Sequence, residues 1–206
     1  MISKEEIKRS ISESIELKNK ILSDDKVLEA IIMSCKMISA ALKSGKKLLI
    51  AGNGGSAADS QHMAAEFVGR FLLDRMALRA IALTTDTSII TAISNDFGYE
   101  NVFARQIEAL GETGDVFLAI STSGNSKNLI KALRIAQLYR ISTISLTGMS
   151  GNEMEKLSDI CISVPSRKVP RIQECHIMIA HIICEMVEKN LATFSLNKLN
   201  NLVDKD

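Results

Sequence analysis

Five short apolar runs alternate with helix-forming stretches through this chain, and no other feature restricts its fold so severely. The runs are KKLLIAG (46–52), RAIALTT (79–85), DVFLAIS (115–121), STISLTG (142–148) and DICISVP (159–165). Each is short, β-rich and apolar at successive positions. A strand that reads this way is covered on both faces, as central strands of a parallel sheet are. Helical patterns occupy 57–71, 88–95, 100–111, 127–140 and 152–157 between them. Alternation of this kind predicts an α/β fold: a doubly wound, five-stranded parallel sandwich.

Two further helices precede the sheet. Ser3 and Glu6 have capping-box spacing, and Ile7, Ile11 and Ile15 recur at intervals of four, which predicts a helix to about Leu22. A second helix covers 24–44, opened by acidic residues and closed by Lys-Ser-Gly. It is apolar around much of its circumference and must be buried. Both helices are therefore expected to pack between subunits. A last helix spans about 171–192, which gives a single domain over 1–192 and a polar tail over 193–206.

The remaining composition narrows the setting. The chain has 206 residues, 46% of them hydrophobic, enough for one domain with a substantial core. Its net charge of +1 is spread evenly, without the basic stripe that nucleic acid requires. Cys35, Cys161, Cys175 and Cys184 form no C-x-x-C pair, so they are expected to be reduced thiols. No apolar run approaches the ~18 residues of a membrane span. The charged opening MISKEEIKRS lacks the apolar core of a signal peptide. The expectation is a cytoplasmic protein that binds neither nucleic acid nor membrane.

Two strands run out into loops of small polar residues. The first gives GNGGS (52–56) and the third gives STSGNS (121–126). Glycines let a ligand approach the backbone, and helix N-termini present free N–H groups to anions. Ser121, Thr122, Ser123 and Ser126 could surround one phosphoryl group. Open α/β sheets bind ligands at such strand ends. The first loop is neither G-x-G-x-x-G nor a P-loop, so a sugar phosphate is favoured over a dinucleotide or a nucleoside triphosphate.

Chemistry-bearing groups follow the first loop directly. His62 and Glu66 are four residues apart and share one helix face, a spacing that suits two ligands of one zinc ion. His176 and His181 lie on the last helix. His176 is read as structural. Asn95 and Asp96, in SNDFGYE, could bind hydroxyls or cap a helix.

Together AGNGGSAADSQHMAAEF, TTDTS, NDFGYE, GDVFLAISTSGNSKNLIKA, LTG and RIQECHIMIAH resemble the phosphoheptose isomerase family of sugar-isomerase (SIS) domains, in order over about residues 3–190. The resemblance implies a flavodoxin-like SIS sandwich, a homotetramer with active sites at subunit interfaces, and one zinc ion per subunit. It implies conversion of sedoheptulose 7-phosphate to D-glycero-D-manno-heptose 7-phosphate. That is the first step of nucleotide-activated heptose synthesis for lipopolysaccharide or capsule. Its zinc ligands fall on His62, Glu66, Gln173 and His181, and its acid–base pair on Glu66 and His181. Its substrate contacts fall on Asn53, Gly54, Gly55, Glu66, Asn95, Asp96, Ser121, Thr122, Ser123, Ser126 and Gln173. Some relatives carry Asp or Thr just before RIQE, where this chain has Val169 and Pro170.

Two alternatives stand beside this reading. One is a non-catalytic SIS protein that binds the replication initiator; that branch lacks the equivalents of Glu66 and His181, both present here. The other is an isomerase of a different ketose phosphate. One further expectation concerns assembly. Gln173 and His181 are eight residues apart, ~12 Å along a helix. One helix reaching a single ion through both is strained, so one of them is expected to come from a neighbouring chain.

Overall fold

The computed structural model describes residues 2–203, with side chains described to residue 192. The elements run α1 (Lys4–Leu22), α2 (Asp25–Lys43), β1 (Leu48–Gly52), α3 (Gly55–Val68), β2 (Ala80–Ala82) and α4 (Thr87–Phe97). After a 3-10 turn (Tyr99–Asn101) come α5 (Val102–Leu110), β3 (Val116–Ser121), α6 (Lys127–Leu138), β4 (Ser142–Thr147), α7 (Glu153–Leu157), β5 (Ile160–Ser163) and α8 (Val169–Val203). The sheet order is β2-β1-β3-β4-β5, and every pairing is parallel. Leu48 sits between Ala80 and Val116, which sets the register across the switch of strand order.

Alternate residues of each strand enter different cores. Leu48, Ile50, Leu118, Ile120, Ile144 and Leu146 pack on one face with the buried sides of α2, α3 and α8. Leu49, Ala51, Phe117 and Ala119 pack on the other with α5, α6 and Met154 of α7. Both faces are therefore dry, which explains why the runs are apolar at successive positions.

The N-terminal helices divide in their roles. The capping box of α1 forms: Glu6 N donates to Ser3 Oγ and Ser3 N to the Glu6 carboxylate, both at 3.2 Å. Helix α2 buries Val27, Ile31, Cys35, Ile38 and Ala41 in the core of its own chain. That buried face of α2 covers the sheet and α8 of its own chain, while Ile32 and Met33 on its other side stay nearly half exposed. In α1 only Leu17 and Ile21 are buried, while Ile7, Ile11 and Ile15 stay a little over half exposed.

Two boundaries also differ from expectation. β2 pairs over only three residues of the run 79–85, although Leu83 N still donates to Ile50 O. Helix α8 continues to Val203, so most of the segment expected as a polar tail is helical; residues 204–206 lie outside the described residues. All four cysteines are free thiols. Among the described residues no helix is long and apolar enough to cross a membrane.

Candidate active site

Between β1 and β3 the strand order reverses, which opens a crevice at the carboxyl ends of the two strands. Both loops singled out in the sequence run into it. Ser121 Oγ lies 3.0 Å from Ser126 Oγ and 3.3 Å from Ser123 Oγ, and accepts from Gly124 N. Ser126 is the N-cap of α6 but caps it with no side-chain hydrogen bond. Three hydroxyls thus converge at the positive end of a helix, an arrangement suited to an anion. Only glycine fits at Gly124, where φ is +64° and a methyl group would overlap the Asn152 side chain. Thr122 is half-buried in the same loop, with its carbonyl packed against Gly148.

The first loop is tied to the second. Asn53 Nδ2 donates to Asn128 Oδ1 (3.0 Å), and Asn128 Nδ2 donates back to Asn53 Oδ1 (2.8 Å). Tyr99 Oη donates to the same Asn53 oxygen at 2.8 Å. Asn128 is buried and also accepts from Leu129 N. The Asn53 amide, expected to contact substrate, is thereby engaged in latching the two loops. Sequence reasoning missed Asn128 and Tyr99, because nothing in their local pattern distinguishes them from helix and turn residues. Gly54 caps α3 and Gly55 begins it, both exposed to the crevice.

Helix α3 turns Met63, Ala64 and Phe67 into the core, which leaves His62 and Glu66 on the opposite side. His62 Nε2 lies 3.3 Å from Glu66 Oε1 and 2.9 Å from His181 Nε2. The two imidazoles meet edge to face, with centroids 5.1 Å apart, and Phe71 packs on His181 at 5.7 Å. Donor atoms of His62, Glu66 and His181 all fall within 4.8 Å of one another. Two imidazole nitrogens and a carboxylate drawn to one point are a donor set that fits a divalent cation of the zinc type.

This cluster forms within one chain. A methyl group on Gly55 would overlap the Gln173 amide, so Gln173 lies over the first turn of α3. His181, eight residues on, meets His62, seven residues on from Gly55. Helices α3 and α8 therefore run side by side in the same direction. Glu66 and His181 thus meet at His62 within one chain, because α3 advances in step with α8, while Gln173 stays level with the first turn of α3. Asp59, which the sequence reading missed, is buried between these points. Burial pushes its carboxyl up, against the opposing pull of Gln173, His62 and His181.

Other expected residues stand apart from this cluster. Asn95 and Asp96 are exposed on α4, and Asn95 Nδ2 donates to Asp96 Oδ1 at 2.7 Å. His176 is fully buried and pairs with the Thr147 carbonyl, which bears out its structural reading.

A parallel sheet of this order is a doubly wound, flavodoxin-like α/β sheet, with its ligand crevice at the switch point. The SIS domain family model matches residues 11–148. A phosphoheptose isomerase of Campylobacter jejuni is 55% identical over 185 residues, 90% of this chain and 92% of that one. The solved phosphoheptose isomerase of Neisseria gonorrhoeae superposes with a TM-score of 0.85 at 40% identity, covering 90% of this chain and 98% of that one. That of Francisella tularensis gives 0.87 at 35%, with 92% and 100% covered. The chain belongs to the phosphoheptose isomerase family, and it is a sugar-phosphate isomerase.

Proposed function

We propose that this chain converts sedoheptulose 7-phosphate to D-glycero-D-manno-heptose 7-phosphate. The convergence of His62, Glu66 and His181 beside a hydroxyl cradle carries the reading. The cradle of Ser121, Thr122, Ser123 and Ser126 holds the phosphate, and the helix dipole of α6 favours its charge. Gln173, Gly54 and Gly55 line the path from the cradle to the cluster, with Asn95 and Asp96 as further hydroxyl contacts. The Glu66 carboxylate takes the proton from C1 of the ketose, leaving an enediolate, and returns it to C2. His181 moves the second proton between the oxygens on C1 and C2. Phe71, packed on His181, keeps water from one side of that ring.

The donor set fits zinc, which His62, Glu66 and His181 would hold, with Gln173 as the fourth ligand implied by resemblance. When bound it supplies Lewis-acid polarisation of the substrate oxygens. The non-catalytic alternative is disfavoured by the presence of Glu66 and His181 in contact with His62. A homotetramer is supported by the half-exposed Ile7, Ile11 and Ile15 on α1, which a second copy would cover. The free thiols support a cytoplasmic location, where the product would enter nucleotide-activated heptose synthesis for lipopolysaccharide or capsule.

The test is incubation with sedoheptulose 7-phosphate in deuterium oxide, read by proton NMR. An aldose anomeric signal with deuterium at C2 is expected. Turnover confined to five- or six-carbon ketose phosphates would reassign the substrate, and no turnover with any would return the non-catalytic reading. Light scattering decides the tetramer.

A further inference from the structure

Helix α3 carries Glu66 two residues from its end at Val68, and its last four carbonyls have no partner within the helix. Arg75 supplies two of the missing partners from the following loop. Its Nη2 donates to Glu66 O (2.9 Å) and its Nη1 to Phe67 O (2.9 Å), with Met76 O also in reach at 3.1 Å. The Arg75 Nε donates to the Glu188 carboxylate at 2.8 Å. Glu188 is only 1% exposed and stands on α8, two turns past His181 on the same face. Its two oxygens also accept from the backbone N–H groups of Phe71 (3.0 Å), Leu72 (2.8 Å) and Leu73 (2.9 Å). Burial pushes the Glu188 carboxyl up, but these N–H groups and Arg75 outweigh it and hold it below its ordinary value.

One ion pair therefore touches three supports of the cluster. It grips the backbone of Glu66 itself. It fixes the loop whose Phe71 packs on His181, and it is rooted in the helix that carries His181. A buried ion pair adds little net stability over a well-packed apolar alternative. Its geometric effect is larger: the fork of Arg75 can satisfy these carbonyls in one orientation only.

We propose that Arg75 and Glu188 are positioning residues for the isomerisation, locking the end of α3 to α8 so that Glu66 and His181 stay in register. The proposal rests on the reading of those two residues as the acid–base pair. Two variants test it. Glu188→Gln keeps the size but leaves Arg75 without its counter-charge. Arg75→Lys is the milder change; it keeps a cation beside Glu188 but loses the fork, and it carries the test if Glu188→Gln does not fold.

Each is compared with wild type in kcat per folded chain, in KM for sedoheptulose 7-phosphate, and by crystal structure. The phosphate cradle lies at the other end of α3, so KM should change less than about threefold, as expected when only transition-state interactions are lost. A misplacement of ~1 Å at the reacting groups lowers kcat on the order of 10²-fold. The crystal structures should show the Nε2 atoms of His62 and His181 further apart than in wild type. An unchanged separation, or a kcat within about threefold of wild type, overturns the proposal. The separation needs no turnover, so it decides the positioning role even if wild type fails to isomerise this substrate. Failure of wild-type turnover counts against the substrate reading alone.

Discussion

Lowering the pH should weaken the fold through one buried imidazole. His176 has no exposed surface, and its Nε2 lies 3.0 Å from the Thr147 carbonyl. A carbonyl only accepts, so the proton of neutral His176 must reside on Nε2. Its Nδ1 is buried without a partner. Protonation would place a second N–H there, with a charge and no acceptor. Burial accordingly pushes the His176 pKa down from 6.5 to about 4, against the smaller opposing effect of the Thr147 carbonyl. The unfolded chain, at 6.5, binds the proton first as pH falls. Stability therefore rises with pH between about 4 and 6.5 and is lost on acidification through that window. At 1.36 kcal/mol per unit, the loss is about 2 kcal/mol at pH 5 and about 3 kcal/mol below pH 4. For a chain of this size 2 kcal/mol corresponds to a fall in Tm of roughly 4–8 °C. Other groups titrate in the same range, so the assay compares wild type with His176→Gln at fixed protein concentration. Glutamine can still donate to Thr147 O but takes up no proton. Urea unfolding at pH 7 and pH 5 should show the extra loss in wild type only. Parallel pH dependence in the two proteins would refute the argument.

Three further outcomes follow from the site. Glu66→Gln should leave the fold intact and lower kcat by ~10²–10⁴-fold, the usual contribution of a general base; more than a third of wild-type kcat would remove Glu66 from the mechanism. Ser121→Ala with Ser123→Ala should raise KM more than it lowers kcat, because the phosphate they are proposed to hold does not react; an effect on kcat alone would place the phosphate elsewhere. Gly55→Ala should leave Tm unchanged or raise it slightly, since Ala is favoured over Gly in helices. Its methyl group displaces the Gln173 amide, so substrate binding should weaken, and unaltered kinetics would show that Gln173 has no part in the site.

Much of this molecule could be read along the chain. The five strands follow from apolar residues at successive positions, because a strand dry on both faces has few other sequences open to it. The cradle follows from STSGNS, and the pairing of His62 with Glu66 from helical spacing alone. These are local properties, set by the period of one helix or the chemistry of one loop. What pairs with what across the fold was decided elsewhere. The direction of α8 relative to α3 placed His181 against His62 in the same chain. The core claimed α2 because its apolar face fits beneath the sheet and α8. The latch between Asn53 and Asn128, and the grip of Glu188 and Arg75 on the end of α3, join residues 75 and 113 positions apart. Such contacts depend on how helices stack on a twisted sheet, and no periodicity in the sequence encodes that.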